Sequence, residues 1–263
     1  MDSPGGHGAL TTTAHWDGVW SGLDLPDRLD GRRGAMYRSI AVWLMNNLAP
    51  GDKLLLEVGC APGRYMLYFA EHFGYKVHGI DFSAVGCEVT RRNLVSAGID
   101  AMVYEADFRT AKIPTETYDV VFSAGFVYHF ADWEEIIANM VKLLKAGGQL
   151  VVLLDNFAGI NGWLRRHLAP KTYKRHVPLT AGELERAFRE AGLEKVESGY
   201  FGSLRLSVPT TSASVTQRAV SLAVKATNKL VAIVSGSLRL TIDGPRLSAL
   251  VHATGWKPEG RQP

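Results

Sequence analysis

The sequence predicts an α/β fold, a doubly wound sheet of seven strands with helical cap insertions. Three observations carry that expectation. Leu54 to Val58 is an apolar run that passes through a small-residue loop, Gly59-Cys60-Ala61-Pro62-Gly63, into a helical pattern and a second strand ending at Asp81. Strand and helix patterns then alternate as far as Leu154, as they do where crossover helices join parallel strands. Tyr118 to Ser123 is almost wholly apolar, which suits a strand buried on both faces. A chain of 263 residues with 46% hydrophobic content can bury the core of one such domain.

Met1 to Thr13 is rich in Gly, Ser and Thr and lacks a charged head followed by an apolar run. It reads as a flexible tail, not a signal peptide, and residues 1–29 as tail plus an N-terminal lid. Asp30 to Leu48 makes a helix with Tyr37, Ile40, Ala41 and Leu44 as its apolar stripe. The first strand, Lys53 to Val58, is followed by a helix from about Pro62 to Phe73, and the second is Lys76 to Ile80. Ser83 can cap the next helix and Gly98 can end it. Strands follow at Ala101 to Ala106 and Tyr118 to Ser123.

Asp132 with Glu135 has capping-box spacing and opens a helix that should stop at Gly147-Gly148, before a fifth strand from Gln149 to Leu154. Thr180 with Glu183 opens another helix, and Lys195 to Phe201 and Ala249 to Lys257 are the last strands. The core unit is therefore 30–201, carrying a cap insertion at 157–178. Residues 202–263 supply a second cap, 202–244, and the final strand. Connections this long are usually functional.

The net charge of +3 gives no footprint for nucleic acid. Cys60 and Cys87 belong to no metal-ligand spacing, so no metal is expected and a reducing cytoplasm is the expected location. Within 215–234, the stretch Ala219 to Val234 is too short and polar to span a bilayer. Its Ala219, Leu222, Ala223, Ala226, Leu230 and Ile233 share a helical face opposite Gln217, Ser221, Lys225 and Asn228. A core-packing or lid helix is the first reading, and weak peripheral membrane contact the second.

The loop spacing is informative about ligand. Dinucleotide-binding loops read G-x-G-x-x-G, whereas this one is Glu57-x-Gly59-x-Ala61-x-Gly63 with an imino acid at Pro62. It suits a cofactor without phosphate, with Glu57 available to a ligand ammonium group. Asp81, at the end of the second strand, can accept two ribose hydroxyls. Phe82 and Ser83 would flank an adenine and cap the following helix.

The stretch from Leu54 to Gly63 resembles motif I of the class I S-adenosylmethionine (SAM) methyltransferases. Tyr118-Asp119-Val120-Val121-Phe122 is similar to that family's fourth strand, and Leu143-Leu144-Lys145-Ala146-Gly147-Gly148 to its turn into strand five, with Ala146 where proline is usual. The resemblance covers roughly Trp16 to Phe201. It implies a Rossmann-like fold and an enzyme that uses SAM and releases S-adenosylhomocysteine. By the same resemblance Gly59, Cys60, Ala61 and Gly63 form the cofactor loop, and Asp107, beside Phe108, meets the adenine amino group. Ser123, Ala124 and Gly125 lie along the methionine part, and the end of that loop faces the acceptor.

His129 could take a proton from an acceptor oxygen or nitrogen, or could serve only to support its loop. Tyr128 stands before it where relatives often have an acid. His176 is the second candidate base, within a basic and aromatic run (Arg165, Arg166, His167, Tyr173, Lys174, Arg175) that could equally be a solvated face. Trp16 and Trp20 could fold over the cofactor as a lid or simply pack against the sheet, and with Tyr37, Phe126 and Tyr173 they make up the candidate acceptor-binding set.

The expected function is methyl transfer to an oxygen or nitrogen of a small-molecule, natural-product-like acceptor. Alternatives are a membrane-associated lipid or quinone acceptor, or methylation at carbon. A nicotinamide oxidoreductase would need glycine where Arg64 stands. A base-modifying methyltransferase would need an N/D-P-P-Y/F segment or a Pro-Cys nucleophile, and neither is present. A SAM-binding protein without transfer chemistry is the non-enzyme rival.

Overall fold

The computed structural model describes residues 8–29, 35–206, 222–231 and 243–260. In chain order the elements are α1 (Thr13–Trp20), α2 (Ala35–Asn47), β1 (Leu54–Val58), α3 (Arg64–Phe73), β2 (Lys76–Asp81), α4 (Ala84–Val95), β3 (Met102–Glu105) and β4 (Tyr118–Ala124). They continue with α5 (Trp133–Leu143), β5 (Leu144–Asp155), α6 (Ile160–Leu168), α7 (Pro170–Tyr173), α8 (Ala181–Glu190) and β6 (Glu194–Leu204). A helix over 222–231, α9, precedes β7 (Ser248–Trp256).

One seven-stranded sheet has the order β3-β2-β1-β4-β5-β7-β6. β1 to β5 are parallel, and β7 runs antiparallel to both β5 and β6. The doubly wound expectation therefore holds with a mixed edge. Side chains alternate across the pleat. Leu55, Val120, Val151 and Leu153 enter a cluster with α2 and α3, whereas Leu56, Val121, Leu150 and Val152 meet α5 and α8. With both faces covered, function is left to the sheet's carboxyl edge, where β1, β2, β3 and β4 all end.

Two local expectations needed correction. Asp132 opens α5 without a side-chain cap, so that capping box does not form. Its carboxylate faces the backbone of Gly8 instead, because the N-terminal segment lies across this loop: Leu10 N–H donates to His129 O and Ala131 N–H to Gly8 O, each at 2.8 Å. α5 also stops at Leu143, not at the glycine pair. Leu144 already pairs with Tyr118, and the register slips before Val120 meets Gln149, so the glycines sit in an irregular start of β5. Thr180 and Glu183 do form their capping box, and Ser83 caps α4 through Gly86 N–H at 2.9 Å.

Candidate active site

The loop after β1 is fixed by backbone bonds. Gly59 has φ +76° and donates to Ile80 O at 2.9 Å, and a Cβ there would stand 2.7 Å from the Phe126 ring. Gly63, with φ +85°, is the N-cap of α3 and has no side chain to satisfy its amides. Glu57 does that work from the neighbouring strand, accepting Met66 N–H at 3.1 Å. Its carboxyl is fully buried, burial raises its pKa well above the usual range, and it lines none of the cavities described below. Its carboxyl here supports the helix N-terminus through Met66 N–H. Cys60 likewise turns its thiol into the core, beside Met66 and Gly79.

Asp81 ends β2 with one carboxylate oxygen accepting Ser83 N–H at 2.9 Å and the other accepting Ala61 N–H at 3.3 Å. Burial raises its pKa, and those amides oppose the rise. Asp107 is pushed up by burial but ends below its usual value because Arg109 bonds it. Arg109 in turn lies 5.3 Å from the Phe130 ring centre.

Three cavities adjoin along this edge. The first, about 340 Å³, is lined by Asp107, Phe108, Asp81, Phe82 and Phe126 among others. The second, about 470 Å³, shares Thr11, Asp81, Phe82, Phe126 and Phe130 with it and adds Gly59, Trp16, Trp20 and His129. The third, about 780 Å³, shares Trp20, Ala61, Ala124 and Gly125 with the second and reaches Tyr37, Arg64, Tyr65 and Asp155. Arg64 is paired at 2.6 Å with the fully buried Asp27 and also meets the Tyr37 hydroxyl.

α1 roofs the second cavity. Its Asp17 carboxylate accepts Ser83 Oγ–H at 2.6 Å, and the Trp16 ring meets His129 edge-on at 5.0 Å. The three candidate catalytic rings, Tyr128, His129 and His176, stand pairwise 4.6 to 4.9 Å apart. Nδ1 of His129 lies 2.9 Å from Arg175 O and Nδ1 of His176 lies 2.8 Å from Thr172 O. A carbonyl only accepts, so both Nδ1 atoms carry hydrogen and both Nε2 atoms keep a lone pair. Burial, with the charge of His176, lowers the His129 pKa to about 3. Burial also lowers that of His176 to about 4.

Of these three, only His129 lines a described cavity. Tyr128 donates its hydroxyl to Asp155 at 3.2 Å, and burial pushes both groups' pKa values up. Trp16, Trp20, Phe126 and Tyr37 line cavities, whereas Tyr173 is half-buried on α7 and lines none of the three. Ser123 is buried with its hydroxyl on Val58 O. Sequence reasoning missed Asp155 and Arg64. The first was findable, because it is the last residue of a central strand and so stands at the ligand edge.

Residues 55–148, which hold the loop, Asp81, Asp107 and His129, match a family model described as a methyltransferase domain. This segment is similar to a methyltransferase domain. Phosphoethanolamine N-methyltransferase 1 of Arabidopsis thaliana is 31% identical over 106 residues, 40% of this chain and 21% of that protein. A S-adenosyl-L-methionine-dependent Diels-Alderase of Talaromyces variabilis is 31% identical over 140 residues, 52% of this chain and 45% of that one. The chain thus spans about a fifth to less than half of these relatives. Phosphoethanolamine N-methyltransferase 2 of Haemonchus contortus, solved with phosphomonomethylethanolamine and S-adenosylhomocysteine, superposes with TM-score 0.60 at 13% identity, over 84% of this chain and 52% of that one. At that identity the likeness is one of fold.

Proposed function

We propose that the protein binds SAM along the three adjoining cavities and transfers its methyl group to an oxygen or nitrogen of a small-molecule acceptor. The observation that carries this reading is the continuity of the cavities from Asp107 past Asp81 and Gly59 to Arg64, with His129 and two tryptophans facing their middle. Bound there, SAM would supply an electrophilic methyl on a sulfonium. Asp81 would hold the ribose and the Asp107 end the adenine. The bare backbone of Gly59 would admit the cofactor beside Phe126.

What the chain itself contributes is orientation and exclusion of water. Holding two reactants in line can be worth about 7–11 kcal/mol of barrier. Trp16, Trp20 and Phe126 would close over the acceptor, and the Nε2 lone pair of His129 would accept its O–H or N–H. A histidine whose pKa lies about 3 is neutral at every working pH and a weak proton sink. Its contribution is then to align the acceptor lone pair and to take the proton late, once the forming bond to the methyl carbon makes that proton strongly acidic. Tyr128 and Asp155 stand behind it as a buried hydrogen-bonded pair.

The Diels-Alderase among the relatives supports a second reading, a SAM-bound protein that shapes a cavity without transferring methyl. Calorimetry with SAM and S-adenosylhomocysteine, followed by a radiomethyl assay on fractionated cell extract, separates the two. Binding with label entering organic-soluble products supports methyl transfer. Binding with no transfer to any fraction favours the second reading, and no binding ends both.

A further inference from the structure

Charge is segregated in this chain. Residues 157–178 and 202–242 together contain ten Lys and Arg and no Asp or Glu, although the whole chain has 29 basic and 26 acidic side chains. The remainder is therefore net acidic, with 19 against 26, and the one acid of the two cap insertions is Asp243 at the end of the second.

The two insertions also adjoin. Asn161 of α6 donates from Nδ2 to Arg205 O at 2.9 Å. Asn228 of α9 accepts Leu206 N–H at 2.8 Å and donates to Leu206 O at 2.9 Å. α6 is thus tied to Arg205 and α9 to the next residue, Leu206, which brings the two helices to neighbouring positions on the surface.

α9 is turned opposite to the orientation its pattern suggests. Val224, Asn228 and Val231, one stripe of the helix, are the partly covered residues. Leu222 is 70% and Leu230 is 62% exposed, with Lys225 and Lys229 exposed beside them. α6 continues the pattern: Trp163 is 58% and Leu168 is 39% exposed, next to exposed Arg166. Among the described residues no helix is long and apolar enough to cross a membrane. An apolar stripe rimmed by cations is instead the form of a helix that lies in a lipid headgroup layer.

We propose that the outer face of α6 and α9 docks on an anionic lipid bilayer, with Trp163, Leu168, Leu222 and Leu230 entering the headgroup boundary and Arg166, Lys225 and Lys229 meeting lipid phosphates. The charge selects this occupant. A second copy of the chain would press two acid-free faces together, and like charges in contact repel. A bilayer of phosphatidylglycerol or phosphatidylserine offers the opposite sign and an apolar layer at once.

The test is co-sedimentation of the full chain with vesicles of phosphatidylcholine alone and of phosphatidylcholine mixed with phosphatidylglycerol. Binding at least about tenfold stronger to the mixed vesicles, weakened by salt, is expected. Leu222→Gln with Leu230→Gln, and separately Lys225→Glu with Lys229→Glu, should each reduce it about tenfold or more, while SAM affinity by calorimetry stays at the parent value. Brominated lipid should quench tryptophan emission in the parent and less in Trp163→Leu. Absence of binding to the mixed vesicles, equal binding to both, or a dimer in sedimentation velocity that the leucine variant dissolves would overturn the proposal. The parent protein alone decides the lipid and salt arms, so a poorly folded variant does not obscure the result. These outcomes are independent of whether methyl transfer is found.

Discussion

The proposed cofactor half and the proposed acceptor half of this site are built by different means. Around Gly59, Gly63 and Asp81 the chain relies on backbone: positive-φ glycines, amides that converge on one carboxylate, and a helix N-terminus satisfied by Glu57 from the strand before it. Around His129 it relies on side chains gathered from separate segments, with Trp16 from α1, Asp155 from β5 and Arg175 and His176 from the first cap. Backbone geometry survives change only at the cost of the loop itself. A gathered set of side chains can be altered one member at a time, so the acceptor half is where chemistry can diverge while the cofactor half stays.

Four experiments would break or sharpen that contrast. Gly59→Val has the largest expected effect, complete loss of SAM binding in calorimetry, since even its Cβ would crowd Phe126 on a backbone with φ +76°. Parent-like binding would remove the loop from the cofactor site. His129→Ala should lower kcat by roughly 10²–10⁴ while leaving SAM affinity within about twofold. The loss should be larger for an alcohol acceptor than for an acidic phenol, and an equal loss for both would reduce His129 to support of its loop.

Asp81→Ala should weaken SAM binding about tenfold to a hundredfold, the worth of one bond to a charged group. An unchanged Kd would place the ribose elsewhere. The smallest effect concerns pH. His129 and His176 are held neutral when folded, with pKa values of about 3 and about 4, below the ordinary 6.5. Below about pH 6.5 the unfolded chain binds protons that the folded one refuses. Stability is therefore intact at neutral pH and falls as pH drops, by up to about 1.4 kcal/mol per pH unit for each histidine. Urea melts between about pH 7 and pH 5 should show that slope, and His129→Gln should flatten it. A level profile in the parent would mean that these rings meet water.

The same contrast explains what was legible in the sequence. The strand, loop, helix and carboxylate of the cofactor half are local, so spacing alone placed Gly59, Gly63 and Asp81. The side chains of the acceptor half meet through tertiary packing, and the sequence could nominate His129 and His176 only as separate candidates. Local chemistry misled where a distant segment intervened. Asp132 has the right partner spacing for a cap, but the N-terminal segment lies over it. α9 has a clear apolar stripe, yet Asn228 anchors the opposite side because Leu206 offers it both a donor and an acceptor. Ala219, Gln217, Ser221 and Ile233 of that expected pattern, like Asp30 at the expected start of α2, lie outside the described residues.

The Asp17–Ser83 bond joins the roof of the site to a helix whose first residues follow Asp81 directly. With the Leu10 and Ala131 bonds to the neighbouring loop, it forms a latch in series with the path of anything held beneath Trp16 and Trp20. Each catalytic cycle of the proposed reaction would have to undo it once to let spent cofactor leave. Chemistry beneath a closed roof is quick to protect and slow to refresh, and release steps of this kind often set turnover. Loosening the latch with Asp17→Ala, or with urea too dilute to unfold the sheet, would then make the enzyme faster before it made it weaker.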